Sequence, residues 1–211
     1  MSGWYTVKSG DCINSIAFEN GLFWQTVWND PNNQNLRGQR KNPNILLAGD
    51  LVFVPDLRPR IELRPTDNRH TFVRKGVPAK IRLCLMANKQ PRANVPYTLT
   101  IDGQTFNGTT GPDGKIAHSI APNAKSGKVI LTHNGVTQVR DLNLGYIDPI
   151  TEPSGVQQRL VNLGYECDIG DDLTSPKMQN VLQAFQADRK LPVTGELDDA
   201  TRMQIQQAHG N

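Results

Sequence analysis

The sequence predicts a multidomain α+β chain with an N-terminal βααβ unit, a central all-β sandwich and a C-terminal three-helix unit. Apolar residues recur at helical spacing near both ends, whereas they alternate with polar residues in the middle, as in strands with one buried face. The net charge changes with this pattern: it is −1 over residues 1–56, +8 over 57–150 and −4 over 151–211. A chain of 211 residues is long enough for three small domains.

The N-terminal unit, residues 1–56, is predicted from alternating and helical patterns in turn. Residues 4–7 alternate as a strand, and Asp11 is placed to cap a helix that begins near Cys12. A second apolar helical face covers residues 23–28, and Pro31 stops that helix because the residue before proline is pushed out of the helical region. A polar connection over 32–41 and a closing strand over 51–55 complete the unit, before a linker at 57–60.

The two ends of this unit resemble a LysM module. The segment YTVKSGDCINSIA at 5–17 and the segment NPNILLAGDLVFVP at 42–55 match the opening and closing patterns of that family. The resemblance implies binding of N-acetylglucosamine polymers, such as peptidoglycan and chitin, in a groove between two loops. The glycan-binding residues that it implies are Gly10, Asp11, Cys12, Ile13, Asn44, Ile45, Leu46 and Leu47. LysM folds also serve as protein adaptors in contractile phage-like machines, so the resemblance alone leaves both roles open.

The central unit, residues 61–149, is predicted to hold about eight short strands bounded by turns, which favours a β-sandwich. The strand candidates are 61–64, 70–75, 79–86, 95–102, 104–109, 115–120, 128–133 and 136–142. Residues 93–116, with their PYTLT alternation and GPDGK turn, resemble immunoglobulin-like or transthyretin-like repeats. Such repeats imply a spacer or adhesion role.

The C-terminal unit, residues 150–211, is predicted to form three helices. Gly164 ends the first helix, Pro176 lies near the start of the second and Asp198 caps the third. The segments VQQRLVNLGY at 156–165 and VLQAFQADRKLPVTGELDDAT at 181–201 resemble the peptidoglycan-binding domain found beside many cell-wall amidases and carboxypeptidases. The resemblance implies peptidoglycan as the ligand. The residues carried over as peptidoglycan-binding are Gln186, Thr194 and Asp198.

The sequence shows no recognisable motif for a catalytic nucleophile, general base or metal site. It lacks GxSxG, HExxH and CxxC patterns. The neighbouring carboxylates at 171–172 and 198–199 project differently and do not make a glycosidase pair; we interpret them as a solvated loop and a helix start. The sequence therefore predicts no catalytic residues, no cofactor and no metal site.

Two other features have competing interpretations. Trp24 and Trp28 lie one helical turn apart and suit either a sugar-stacking platform or core packing, and we favour the core because aromatic side chains dominate small cores. The basic middle unit suits an anionic partner or ordinary solvated strand faces. We favour the solvated faces and predict no nucleic-acid partner, because no basic run is interleaved with aromatic residues.

The remaining predictions concern location and role. No apolar run approaches the ~20 residues that span a bilayer, so no membrane partner is expected. The segment MSGWYTVKSGDC has no basic stretch followed by an apolar one, which predicts synthesis in the cytoplasm without a signal peptide. The module order resembles proteins that accompany spike and toxin components of bacterial type VI secretion systems, which implies export by that machine to the periplasm or cell wall.

The predicted function is therefore non-catalytic peptidoglycan binding, with two weak sites on one chain that gain avidity on a polymeric wall. The alternative is a structural adaptor that docks a spike, tube or toxin protein of an injection machine without binding glycan.

Overall fold

The computed structural model describes residues 2–58, 61–71, 79–87, 90–133, 136–145 and 147–210. The described residues contain both helices and strands, so the predicted mixture of the two is confirmed. Contacts divide the chain into two compact units. The first comprises Met1–Asn44 and Ala48–Gly145, and the second comprises Ile45–Leu47 and Tyr146–Asn211. The division between Gly145 and Tyr146 lies a few residues before residue 150, where the C-terminal unit is predicted to start.

The N-terminal part of the first unit is closed by a two-stranded antiparallel sheet. Its elements are β1 (Gly3–Thr6), α1 (Ile13–Glu19), α2 (Trp24–Trp28), a 3₁₀ turn (Pro31–Asn33), α3 (Gln34–Arg40) and β2 (Leu51–Val54). In the sheet Tyr5 faces Val52, and Val52 is fully buried. Helix α1 packs on α2, and Ile16 and Val27 are buried there.

Helix α3 corrects the sequence prediction, because residues 32–41 were expected to be a connection. This segment has few apolar residues, and its folding depends on hydrogen bonds to the main chain. The buried Asn33 amide donates to the carbonyls of Val27 and Phe53 at 2.8 Å each, and its Oδ1 accepts from the Phe53 N–H at 2.7 Å. The Arg37 guanidinium likewise donates to the carbonyl of Asp30 at 3.0 Å. The hydrophobic periodicity of a sequence does not reveal hydrogen bonds from side chains to the main chain.

The rest of the first unit consists of antiparallel strands. They are β3 (Ala79–Cys84), β4 (Met86–Ala87), β5 (Gln90–Pro91), β6 (Pro96–Ile101), β7 (Gln104–Thr109), β8 (Lys115–Ile120), β9 (Ser126–His133) and β10 (Val136–Asn143). One sheet has the order β10-β9-β6-β7, and β3 pairs with β8 and β4 with β5. Ile81 and Ile116 of the β3–β8 pair share one hydrophobic core with Leu99 and Val129 of the larger sheet.

Six strand predictions match observed strands in position, and the prediction for 61–64 is wrong. Residues 61–64 form no strand, and the Ile61 and Leu63 side chains are 83% and 92% exposed. Two apolar residues without a partner strand have no sheet face to bury. Of the predicted strand 70–75, residues 70–71 are outside any strand and 72–75 lie outside the described residues.

The second unit contains three helices, as predicted. They are α4 (Pro153–Asn162), α5 (Pro176–Asp188) and α6 (Asp199–His209). Their inward faces form one core; its fully buried members are Val156, Leu160, Met178, Leu182, Phe185 and Ile205. Pro176 begins α5 behind a Ser175 cap, and the Asp198 carboxylate caps α6 by accepting from the Thr201 N–H. These starts confirm the sequence interpretation.

Candidate functional site

Asp11, predicted to cap α1 and to touch glycan, is instead buried beneath the first loop. Its side chain is 6% exposed, and Cys12 occupies the N-cap position. Its Oδ2 accepts from the Tyr5 hydroxyl at 2.7 Å and from the Lys8 N–H at 3.0 Å, and Lys125 Nζ lies 3.5 Å from Oδ1. The prediction of a cap is therefore wrong. Asp11 fixes the turn that precedes α1.

The loop at Gly10–Ile13 and residue Asn44 do come together, as the sequence predicts. The Ile13 N–H donates to the Pro43 carbonyl at 2.9 Å, and the Asn14 amide donates to Asn44 Oδ1 at 2.7 Å. Gly10 takes a positive φ of 85°, which favours glycine at this turn. The Ile13 side chain has no exposed surface and Cys12 is half-buried. Main-chain groups, Cys12 and the Asn44 amide are among the polar groups that a ligand could contact here.

Ile45–Leu47 belong to the second unit and complete the set of residues implied by the LysM resemblance. Ile45 and Leu46 are 8% and 5% exposed, and Leu47 is half-buried. Their apolar side chains are therefore largely withdrawn from solvent. Ile45 and Leu46, which the resemblance implies as glycan-binding, thus present little side-chain surface.

Because of Tyr5, the stability of the first unit is expected to depend on pH in the alkaline range. Burial, followed by the hydrogen bond to Asp11, raises the pKa of Tyr5 from 10.0 to about 12. The unfolded chain thus loses this proton at a lower pH than the folded chain does. The free energy of unfolding is expected to fall as pH rises from about 10 to about 12. Urea unfolding at pH values across this interval, followed by tryptophan fluorescence, measures the fall, because Trp4, Trp24 and Trp28 all lie in this unit.

The variant Tyr5→Phe is the control for that prediction. It lacks the ionising group, so its stability is expected to fall less steeply over the same interval. Equal slopes for the two proteins would show that other groups govern the alkaline transition.

In the second unit, Gln186 organises a loop and does not face solvent. Its side chain is 0% exposed. Its Nε2 lies 3.0 Å from each of three acceptors, the hydroxyls of Thr194 and Thr201 and the carbonyl of Glu196. Its Oε1 accepts from the N–H groups of Thr194 and Gly195 at 3.0 and 2.9 Å. One amide side chain therefore bridges α5, the loop 191–198 and α6.

Thr194 and Asp198 lie on the same loop, so the structure brings all three predicted residues together. The Thr194 hydroxyl accepts from the Glu196 N–H at 3.1 Å, and Asp198 Oδ1 accepts from the Thr201 N–H at 2.7 Å. Hydrogen bonds from Thr201 hold the pKa of Asp198 below its usual range. Both residues shape the loop and are themselves exposed, as are Pro192, Val193 and Glu196.

A second buried glutamine, Gln157, plays the same part at another loop, and sequence reasoning missed it. Its amide donates to the Asp171 carbonyl at 2.6 Å and accepts from the Gly170 N–H at 2.8 Å. Lys177 lies across this loop, with Nζ 2.5 Å from Asp168 and 3.2 Å from Asp171. The sequence signal that could have revealed this role is the position of Gln157 beside Val156, on the helix face that turns toward the core. Such a residue needs partners for its amide.

The described ranges contain no group of three or more His, Cys, Asp or Glu side chains placed to hold a metal ion. No helix among them is long and apolar enough to cross a membrane.

Residues 151–205 match the family described as "Putative peptidoglycan binding domain". The match includes α4, α5, both glutamine-held loops and most of α6. The comparison with curated proteins found no match. The comparison with solved structures found none either. The C-terminal part of the chain is thus similar to a peptidoglycan-binding domain.

Proposed function

We propose that the protein is a non-catalytic peptidoglycan-binding protein. The observation that carries this proposal is the match of residues 151–205 to a peptidoglycan-binding family. The geometry supports it, because the buried Gln186 and Gln157 hold two loops in fixed shapes on a three-helix core. A rigid surface with exposed main chain and short side chains suits a repetitive polymer such as the cell wall.

The contact surface that we propose in the second unit is the loop 191–198. Val193 is 56% exposed, and the buried Gln186 supports the loop from within, while Thr194 and Asp198 are exposed on the loop itself. Gln186 is therefore a positioning residue, whereas Thr194 and Asp198 remain accessible to a ligand. The exposed Val193 and the main chain around it become the groups that meet the ligand.

Co-sedimentation with washed, protein-free sacculi tests the function. Binding is expected at low salt and to persist at physiological salt, since screening removes an attachment that depends on charge alone. Val193→Asp is expected to weaken sedimentation several-fold. Met203→Asp is the matched control, because Met203 is also exposed, at 64%, but lies on α6 outside the loop. Absence of binding at both salt concentrations would contradict the proposal.

The finer proposal is that the N-terminal part is a LysM-type module, that the middle is a β-sandwich spacer and that the chain accompanies a bacterial type VI secretion system. The helix-rich N-terminal part closed by β1 and β2, and the shared core of the central sheets, support the module assignments. The secretion role depends on the module order alone.

One observation favours the adaptor alternative for the N-terminal part. The apolar side chains at Ile13, Ile45 and Leu46 are buried, so the predicted LysM-type groove offers little apolar surface to a sugar. An adaptor is expected to copurify in fixed stoichiometry with a spike, tube or toxin protein. A purified chain that sediments with sacculi but brings down none of these proteins from its own cells would argue against that role.

A further inference from the structure

A shallow cleft in the first unit lies away from the loops considered so far. Its volume is about 360 Å³. Residues of β1, the 3₁₀ turn, α3 and the start of β2 line it, among them Trp4, Asn32, Asn35, Gln39, Asp50 and Leu51. With Leu36 included, an indole, three carboxamides, one carboxylate and two aliphatic side chains therefore surround a single depression.

The strand register explains why Trp4 is exposed there. Trp4 pairs with Phe53 in the two-stranded sheet, while Val52 and Val54 point to the buried side. Side chains alternate along a strand, so Trp4 and Phe53 share the outer face. Their rings meet edge to face, with centroids 5.4 Å apart and an interplanar angle of 69°. The Trp4 indole is thus braced on one side while remaining 59% exposed.

Two of the three carboxamides are available as well, whereas the Asn32 amide donates to Asp30 at 2.9 Å. Asn35 and Gln39 are four residues apart on α3, so they lie on the same face of the helix, and both are exposed. Within the part of the chain that the structure describes, neither side-chain amide makes a hydrogen bond with protein. Each carboxamide can donate and accept at once.

The cleft carries no uncompensated charge. Asp50 is the charged side chain among the lining residues, and the Arg40 guanidinium holds it in a two-point ion pair, with Nε and Nη2 each 2.7 Å from a carboxylate oxygen. A bidentate pair of this kind satisfies both carboxylate oxygens in part. The favoured ligand is therefore neutral.

We propose that this cleft binds the glycan strand of the cell wall through a neutral N-acetylhexosamine unit. A pyranose ring offers an apolar C–H face that stacks on the Trp4 indole, and its hydroxyl and acetamido groups match the Asn35 and Gln39 carboxamides. This inference deepens the proposed function and depends on it, because it names the ligand part that the first unit contacts. The cleft is separate from the loops at 10–13 and 44–47.

Titration of the full chain with an N-acetylglucosamine pentamer tests the proposal, and the three tryptophan indole N–H signals in a ¹H–¹⁵N spectrum are the readout. The signal absent from Trp4→Phe identifies Trp4. That signal is expected to shift on titration, while the signal of the buried Trp28 stays in place. Trp4→Ala is expected to weaken binding about tenfold, the scale of a lost stacking contact.

Two further variants keep the test independent of folding. Asn35→Ala combined with Gln39→Ala alters an exposed helix face and is expected to weaken binding several-fold without changing the Trp4 environment. Phe18→Ala is the matched control, because Phe18 is 46% exposed in the same unit but outside the cleft, and it is expected to bind as the wild type does.

The outcomes separate this inference from the function on which it depends. A chain that sediments with sacculi while Trp4→Ala and the double amide variant bind the pentamer normally would overturn the cleft alone. A chain that neither sediments nor responds to the pentamer would overturn both. A response that appears only with a protein partner would assign the cleft to protein docking and overturn the glycan proposal.

Discussion

Replacing Gln186 with leucine is expected to lower the free energy of unfolding of the second unit by roughly 3 kcal/mol or more. Leucine fills the space but leaves the N–H groups of Thr194 and Gly195 and the Thr201 hydroxyl without their hydrogen-bond partner. Each buried polar group left without a partner costs about 1–3 kcal/mol. A small domain is stable by only about 5–15 kcal/mol, so the loss removes a large part of its stability.

Two spectroscopic signals separate this effect from changes elsewhere. The three tryptophans lie in the first unit, so their fluorescence reports that unit alone. Far-ultraviolet circular dichroism also follows α4, α5 and α6. Gln186→Leu is expected to lower the dichroism transition and leave the fluorescence transition unchanged. Gln206→Ala, at an exposed position on α6, is the control and is expected to change neither. A Gln186→Leu protein as stable as the wild type would show that the loop does not depend on this amide.

The second large effect is expected at Gly155, in the first turn of α4. A Cβ added there would lie 2.7 Å from the Asp148 carbonyl oxygen and still closer to that of Pro149. Alanine has the higher helix propensity, by about 1 kcal/mol. Overpacking against main chain costs typically 1–3 kcal/mol, and here the clashing atoms are not the flexible end of a side chain. Gly155→Ala is therefore expected to destabilise the second unit by about 2 kcal/mol, measured by the dichroism transition.

Gly38 supplies the matched substitution with the opposite expected sign. It lies inside α3, and an added Cβ would meet nothing within 4 Å. Gly38→Ala is expected to stabilise the first unit by up to about 1 kcal/mol, measured by tryptophan fluorescence. If both substitutions proved stabilising, the close approach of Gly155 to the preceding main chain would not exist in solution.

The elements that could be predicted from sequence are those whose hydrophobic pattern or capping residue is local. The strands at 104–109 and 115–120 and the helix starts at Pro176 and Asp198 are of this kind. Helix α3 could not be predicted in the same way. Its segment is fixed by Asn33 and Arg37, which bind carbonyls brought near by the fold.

The candidate sites illustrate the same limit. Sequence resemblance grouped Gln186 with Thr194 and Asp198, but the motif does not reveal that Gln186 is buried on α5 while the other two are exposed on the loop. Conversely, Trp24 and Trp28 attracted attention through their helical spacing, whereas Trp4 is the more exposed indole. Its exposure follows from the register with β2, which is a long-range property.

Each of the two buried glutamines fixes the backbone path of a loop through hydrogen bonds to its main chain. The partners of Gln186 are three main-chain groups and the hydroxyls of Thr194 and Thr201, and none of them is the side chain of Pro192, Val193 or Glu196. Those three outward positions are consequently free to vary while the backbone path is preserved. Such a loop is a template for engineering, because new side chains can be introduced there without redesigning the scaffold.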